Sequence, residues 1–235
     1  MPHKRVHAHD WHATSREFVK VWEGIVLLFG RMATLGGHPR AAMAWAAEMN
    51  AYVSKKSGRP LALWSASFGQ PVGTVVWSVP VDSHTDLQAA FAGLREDDGY
   101  YALLEKGAAF ITGPMVDTLR EVVHGAPTPG GRPVGSVALL TTATMSADKG
   151  AEAVAWSVEL ATYVTSVTDD PTMFLLDSYG TFGQATWIGA AADMAAVDTA
   201  TAKLQTDPGY LKRLAASSGL FIPGSGHRSI ATRMA

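Results

Sequence analysis

The stretch AWAAEMNAYV at residues 44–53 returns as AWSVELATYV at residues 155–164, with Trp45 and Trp156 111 residues apart. At the same offset the apolar run 24–32 matches 135–143, and Phe68-Gly69 matches Tyr179-Gly180. After a one-residue slip, Asp97-Asp98-Gly99-Tyr100 matches Asp207-Pro208-Gly209-Tyr210. Residue types as distinctive as Trp, Glu, Tyr and Gly thus recur in one order, which indicates an internal duplication.

A proline- and glycine-rich segment separates the two copies. Residues 125–133 read GAPTPGGRP, a composition that suits neither a helix nor the interior of a sheet. The sequence therefore predicts a first unit at 1–125 that carries an amino-terminal extension, a linker at 126–133 and a second unit at 134–235.

Each copy predicts the same order of elements. Short β-branched and apolar runs predict strands near 25–31, 61–68, 74–81 and 116–123, and again near 137–144, 173–179, 184–191 and 227–232. A helix follows the first strand, with Trp45, Glu48, Met49, Tyr52 and Val53 along one face. A second helix near 86–94, or 195–204, breaks and restarts behind an aspartate cap at Asp97-Asp98 or Asp207-Pro208.

This order predicts an α+β fold, with two tandem ferredoxin-like β-α-β-β-α-β units. Each antiparallel sheet would carry both helices on one face and leave the other face bare. Two copies in one chain can bury these bare faces against each other. We therefore expect an intramolecular, pseudo-dimeric α/β barrel.

The hairpin, the second helix and the short helix that begins behind the aspartate cap resemble those of the dimeric α/β-barrel (ferredoxin-like) superfamily, and most of all its NIPSNAP-like branch. The resemblance is carried by Gly73–Trp77 with Asp97–Tyr101 in copy one, and by Gly183–Trp187 with Asp207–Tyr210 in copy two. It implies one of several functions. Relatives include cofactor-independent monooxygenases of aromatic polyketides, cyclases, isomerases, haem-binding enzymes and ligand-binding proteins without known activity.

Composition and the absence of known motifs exclude several classes of function. The formal net charge of −2 and a pI near 6.4 disfavour nucleic-acid binding, and the chain has no cysteine, so it has no disulfide, zinc-thiolate site or thiol nucleophile. Phosphate-loop, dinucleotide-binding, nucleophile-elbow and zinc-protease motifs are also missing from the sequence. No apolar run reaches the roughly 18 residues of a membrane span, and no export signal is seen, so we expect a cytoplasmic protein.

Glu48 and Glu159 are the first catalytic candidates. Each shares a helix face with a Trp and a Tyr, so partial desolvation would raise the pKa of the carboxyl group and suit it to general acid–base work. The alternative is a structural glutamate at the edge of the buried stripe, bonded to a neighbouring Tyr or a backbone amide. Retention in both copies favours that alternative.

The remaining candidates are lone charges, aromatic side chains and histidines. Arg31 and Asp177 lie on strands without charged counterparts, and each is either a functional group or a solvent-facing side chain. Aromatic residues could line a ligand pocket or fill the core: Trp64, Trp77, Trp187, Tyr52, Tyr163 and Tyr179. His7 and His9, with His12 nearby, form a metal-ligand candidate whose simpler interpretation is a solvated arm.

These residues predict a small-molecule enzyme that acts by proton transfer on an apolar or aromatic substrate. The resemblance implies that the enzyme needs no cofactor, that its substrate is polyketide-like and that it belongs to secondary metabolism. It would be a cyclase, isomerase or monooxygenase, and the pseudo-dimeric chain could self-associate further. The rival hypotheses are a non-catalytic ligand-binding or scaffold protein of NIPSNAP-like type and a haem- or metal-binding barrel. Symmetry separates the first two, because a catalytic chain should have one pocket with polar groups that its twin lacks.

Overall fold

The computed structural model describes residues 26–128 and 131–235. The predicted metal candidates His7, His9 and His12 lie outside these residues. The eight described strands form one antiparallel barrel, in the chain order β1 (Leu27–Thr34), β2 (Ala62–Phe68), β3 (Thr74–Val81), β4 (Val116–His124), β5 (Val137–Thr144), β6 (Thr172–Tyr179), β7 (Gln184–Ala191) and β8 (His227–Arg233). The described helices are α1 (Pro39–Ser57), α2 (His84–Ala92), α3 (Asp98–Gly107), α4 (Gly150–Thr168), α5 (Met194–Thr206) and α6 (Pro208–Ala216).

The strand order confirms the predicted fold class. Around the barrel the strands run β1-β3-β2-β8-β5-β7-β6-β4, so each copy contributes four neighbouring strands in the same pattern. Two seams join the copies, one between β2 and β8 and the other between β4 and β6. The barrel is thus closed by hydrogen bonds along both edges of each sheet.

Strand pairing corrects the alignment of the first strands. Arg31 lies opposite Trp77, and the residue opposite Trp187 is Thr141, so Thr141 is the counterpart of Arg31. The sequence alignment at a constant offset had placed Thr142 there. A one-residue shift matters because neighbouring side chains on a strand point to opposite faces of the sheet. Arg31 and Thr141 both lie on the helix-facing side.

The helix-facing side of the sheet holds most of the core. In the first unit Trp45 of α1 packs edge-to-face on Trp77 of β3, with ring centroids 5.9 Å apart, and both side chains are buried. Trp156 and Trp187 repeat this pair in the second unit, at 6.0 Å. The repeated tryptophans therefore fix each first helix to its own sheet.

The aspartates predicted to restart the second helices do cap them. The Asp97 side chain accepts a hydrogen bond from the Tyr100 amide at the start of α3, and Asp207 accepts one from the Tyr210 amide at the start of α6. These short helices complete the cover over the sheet, and the space they enclose is the candidate site.

Candidate functional site

A cavity of about 460 Å³ lies between the helices and the sheet of the first unit. We call it cavity 1. Its floor comes from β1, β3 and β4, and its walls come from α1, α2 and α3. This volume falls within the range of about 300–1,000 Å³ that small-molecule sites usually have.

The walls of cavity 1 are mainly apolar and aromatic. The lining includes Phe29, Trp45, Met49, Trp77, Leu87 and Phe91. Trp45 donates its indole N–H to the Leu103 carbonyl at 2.8 Å, and Trp77 donates to the Ala46 carbonyl at 3.2 Å. Because backbone carbonyls occupy both indole N–H groups, the tryptophans offer the cavity only their rings. Flat apolar molecules suit such walls.

A charged cluster interrupts these walls, which Arg95 also lines. Arg31 of β1 and Asp117 of β4 face each other on neighbouring strands and form a two-pronged ion pair, with both N–O distances 2.7 Å. The Tyr100 hydroxyl lies 3.4 Å from Nη1 of Arg31. The hydrogen bond to Asp117 raises the pKa of Arg31 above its usual value, more than burial lowers it. Arg31 is therefore a permanent cation in the cavity wall.

The mouth of cavity 1 brings the two units together. His84, the first residue of α2, lines the cavity, and its ring meets the Tyr179 ring of β6 edge-to-face at 5.5 Å. Tyr179 comes from the second unit and is 63% exposed. Among the described residues that line the two cavities, His84 is the only histidine.

The second unit has its own cavity of about 320 Å³ in the equivalent place, which we call cavity 2. Trp156, Leu160, Trp187 and Phe221 line it. Thr141 stands where cavity 1 has Arg31, so no matching ion pair forms between these two strand positions. The cavities occupy equivalent places but differ in volume and in polar groups.

Glu48 and Glu159 lie away from both cavity linings. Their side chains are 50% and 61% exposed and pair with Lys106 at 2.5 Å and Arg213 at 3.0 Å. The expected desolvation is therefore wrong, because both glutamates sit at the outer edge of the helix stripe, where solvent reaches them. Their catalytic role stays a prediction, without the burial that motivated it.

Tyr52 and Tyr163, predicted to bind ligand, also lie away from the cavity linings. The Tyr52 hydroxyl donates to Asp97, and the Tyr163 hydroxyl donates to Asp207 at 2.8 Å. Both tyrosines thus hold the aspartate that caps the next helix. This arrangement explains the repeated tyrosines and aspartates by structure alone.

The other predicted site residues are divided among the two cavities, the mouth of cavity 1 and the barrel interior. Trp77 lines cavity 1, Trp187 lines cavity 2, and Tyr179 lies at the mouth of cavity 1. Trp64 and Asp177 point into the barrel, where Trp64 donates to the Ser78 hydroxyl at 3.0 Å and Asp177 pairs with Arg120 at 2.8 Å. Of the proposed catalytic residues, only Arg31 lies in a cavity wall.

Sequence reasoning missed Asp117 and Tyr100 as site residues, and it considered His84 only as one of four lone histidines that could bind haem. Asp117 is separated from Arg31 by 86 residues, and only strand pairing brings the two together. The signal that could have found it is a single acidic residue at the start of the strand predicted to neighbour that of Arg31. Within the part of the chain that the structure describes, no group of three potential metal ligands occurs.

No family model matches the sequence, and no curated protein matches it. Solved structures share the fold. A protein of Fusobacterium nucleatum, provisionally named a monooxygenase, superposes with a TM-score of 0.64 at 9% identity, over 91% of this chain and 94% of its own. An anthrone oxidase-like protein gives 0.61 at 12% identity, over 92% and 93% of the two chains.

A third similar structure, provisionally named a chlorite dismutase, gives a TM-score of 0.52 at 9% identity, over 90% of this chain and 96% of its own. The neighbours confirm that the chain has the dimeric α/β-barrel fold. Their names cover different reactions, so the fold alone does not select one. Over residues 26–128 and 131–235, no helix has the length and apolarity to cross a membrane.

Proposed function

We propose that this protein is a small-molecule enzyme that acts in cavity 1 on an apolar, aromatic ketone or a similar polyketide-like molecule. The observation that carries the proposal is the Arg31–Asp117–Tyr100 cluster in a mainly apolar cavity whose twin has Thr141 in place of Arg31. A scaffold would be expected to keep two equivalent interiors.

Arg31 is proposed to stabilise negative charge on the substrate oxygen. Removal of a proton from a carbon that is next to a carbonyl group, or conjugated with it through an aromatic ring, leaves an enolate-type anion whose charge rests largely on oxygen. A fixed cation in an apolar cavity stabilises such a developing charge more than water does. Asp117 orients the guanidinium, and Tyr100 supplies a second polar group beside it.

His84 is the proton acceptor that we propose in place of Glu48 and Glu159. It lines cavity 1 at the mouth, and an imidazole can take up and return a proton near neutral pH. The aromatic ring of Tyr179 holds it from the side. The flat walls of Trp45 and Trp77 would orient the substrate rings.

The fate of the enolate decides the reaction class, and we propose oxygenation. Two fold neighbours bear the names monooxygenase and anthrone oxidase-like, which favours dioxygen as the co-reactant. In this reaction an activated CH2 group loses two hydrogens and becomes a carbonyl; one oxygen atom enters the product and the other leaves as water. Return of the proton to another carbon would instead give an isomerase or cyclase.

Anthrone, an aromatic ketone with an acidic CH2 group, is the probe for this proposal. We expect the full chain to consume dioxygen and convert anthrone to the quinone, as measured with an oxygen electrode and by absorbance. Arg31→Gln should lower kcat/KM by roughly 10²–10³-fold, the usual loss for one oxyanion donor. Arg40→Gln, at an exposed position on α1, is the matched control and should leave the rate unchanged.

Two results would count against this function. Quenching of tryptophan fluorescence by anthrone without any turnover would support the non-catalytic binding role. A haem absorption band in the purified protein would support the haem alternative, for which His84 is the available imidazole in cavity 1. The NIPSNAP-like kinship, the role in secondary metabolism, the cytoplasmic location and the self-association stay predictions.

A further inference from the structure

Cavity 2 is lined by an arginine whose surroundings differ from those of Arg31. Arg228 of β8 lines the cavity and lies opposite Thr141 in the strand register. Within residues 26–128 and 131–235, no carboxylate forms an ion pair with Arg228, and its guanidinium donates no hydrogen bond to these residues. Its side chain is exposed at the rim.

The two cavities therefore differ by an exchange of charge at equivalent strand positions. Cavity 1 has Arg31 opposite Asp117, whereas cavity 2 has Thr141 opposite Arg228. The first pair is neutral overall and the second carries one positive charge, while elsewhere in the linings Arg95 adds a cation to cavity 1 and Asp170 adds a carboxylate to cavity 2. Asp170 forms no ion pair with Arg228. A guanidinium without a paired carboxylate attracts anions, and its planar shape matches a carboxylate with two hydrogen bonds.

The remaining wall of cavity 2 is suited to an apolar body. Trp156, Trp187 and Leu204 line it, and Gly189 stands opposite Leu139 on its floor. In the first unit Val79 occupies the place of Gly189, opposite Phe29. Loss of the valine side chain leaves floor space in cavity 2 for a ligand.

We propose that cavity 2 is a second ligand site, which binds an aromatic carboxylate. The carboxylate pairs with Arg228 at the rim, and the ring system enters between the tryptophans. The volume of about 320 Å³ lies at the lower end of the range for small-molecule sites and suits a ligand of two or three fused rings. This site is separate from the chemistry proposed for cavity 1.

The test uses 2-naphthoate and its uncharged analogue, 2-naphthamide, on the full chain. Binding is followed by tryptophan fluorescence and titration calorimetry, because Trp156 and Trp187 line the cavity. We expect Arg228→Gln to weaken naphthoate binding roughly 10-fold and to leave naphthamide binding unchanged, as loss of a charged hydrogen-bond donor predicts. Arg31→Gln should leave the naphthoate affinity unchanged.

A second variant tests the position of the ligand. Gly189→Val restores the side chain found in the first unit, and a Cβ at residue 189 would have its nearest neighbour 3.8 Å away, so the fold should accept it. It should weaken both ligands at least several-fold while anthrone turnover stays as in the wild type. Equal naphthoate affinity in wild type and Arg228→Gln, or full binding in Gly189→Val, would overturn the proposal.

Discussion

Gly107, the last residue of α3, packs directly against the Trp45 ring. A Cβ at this position would come within 2.9 Å of Cη2 of Trp45 and nearer still to two other ring atoms. Trp45 cannot retreat easily, because its indole N–H is bonded to the Leu103 carbonyl and its ring packs on Trp77. The close approach thus sets the shape of the cavity 1 wall.

Gly107→Ala should therefore destabilise the protein. We expect the free energy of unfolding to fall by about 1–3 kcal/mol, the usual cost of overpacking a core, as measured by urea denaturation. Gly93→Ala is the matched control, because a Cβ there meets nothing within 4 Å and the backbone φ of −68° suits alanine. That control should be neutral or slightly stabilising. Equal stability of the two variants would contradict the packing argument.

At the residue level the sequence predicted Arg31 as a site residue but did not predict Asp117, which orients its guanidinium. A charge on an apolar strand is visible in one dimension, whereas its partner Asp117 is fixed by the pairing of β1 with β4. Glu48 shows the opposite error. A helix stripe of residues at i, i+3 and i+4 has edges, and a long charged side chain at such an edge reaches solvent and Lys106 instead of the core.

The caps of α3 and α6 connect each first helix to the helix pair beyond it. Asp97 accepts hydrogen bonds from Tyr52 of α1 and from the Tyr100 amide, and its other carboxylate oxygen pairs with Lys56 at 2.5 Å. The hydrogen bond from Lys56 is the largest of the causes that lower the pKa of Asp97 to about 2. One carboxylate thereby fixes two helices around cavity 1.

This lowered pKa predicts how stability depends on pH. A carboxyl group whose pKa is lower in the folded state stabilises the protein above its unfolded pKa, near 3.8, and loses that effect as pH falls towards 2. Asp97→Asn should lower Tm by about 3 °C at pH 7, a typical cost for a weakened helix cap. The difference from wild type should shrink between pH 4 and pH 2 in calorimetric scans. A difference that stays constant over this range would contradict the argument.

At the level of elements the sequence predicted most of the structure. Strand and helix order, the aspartate caps and the break before α3 and α6 all follow from local patterns, which act over a few residues. The extent of β1 was less accessible, because it continues to Thr34 beyond the predicted end near Arg31. Its pairing with both β3 and β4 determines where the strand ends, and no local sequence pattern indicates such long-range pairing.

An ion pair inside the barrel links the two halves of the molecule. Arg120 of β4 and Asp177 of β6 lie on either side of a seam, 2.8 Å apart, with side chains only 17% and 2% exposed. The lone charge at Asp177 is thus neither solvent-facing nor in a cavity wall. It is half of a buried pair whose partner comes from the other copy.

Asp177→Ala should be strongly destabilising, because it leaves the Arg120 charge buried without a partner. We expect a loss of about 3–5 kcal/mol in the free energy of unfolding, measured with urea. The double variant Arg120→Met with Asp177→Leu should recover most of that loss, since it removes both charges. Glu152→Gln, at an exposed pair with Lys149, is the control and should change stability by less than about 1 kcal/mol. A double variant no more stable than Asp177→Ala would contradict this account.

For the whole molecule, duplication predicted the barrel but could not predict that its two cavities differ. Barrel closure depends on a pattern spread over about a hundred residues, which tolerates many substitutions. The difference between the cavities depends on a few side chains, chiefly Arg31, Thr141, Asp117 and Arg228, whose alignment needs the strand register.

The seams between β2 and β8 and between β4 and β6 also allow an exchange of partners between molecules. Either half of one chain could complete its hydrogen bonds with the opposite half of a second chain, because the same strand edges would meet. The short connection from His124 to Val137 keeps the two halves of one chain at a local concentration in the millimolar range. Closure within one chain should therefore prevail in dilute solution, whereas refolding at high protein concentration favours domain-swapped dimers with the same barrel and the same four cavities per pair.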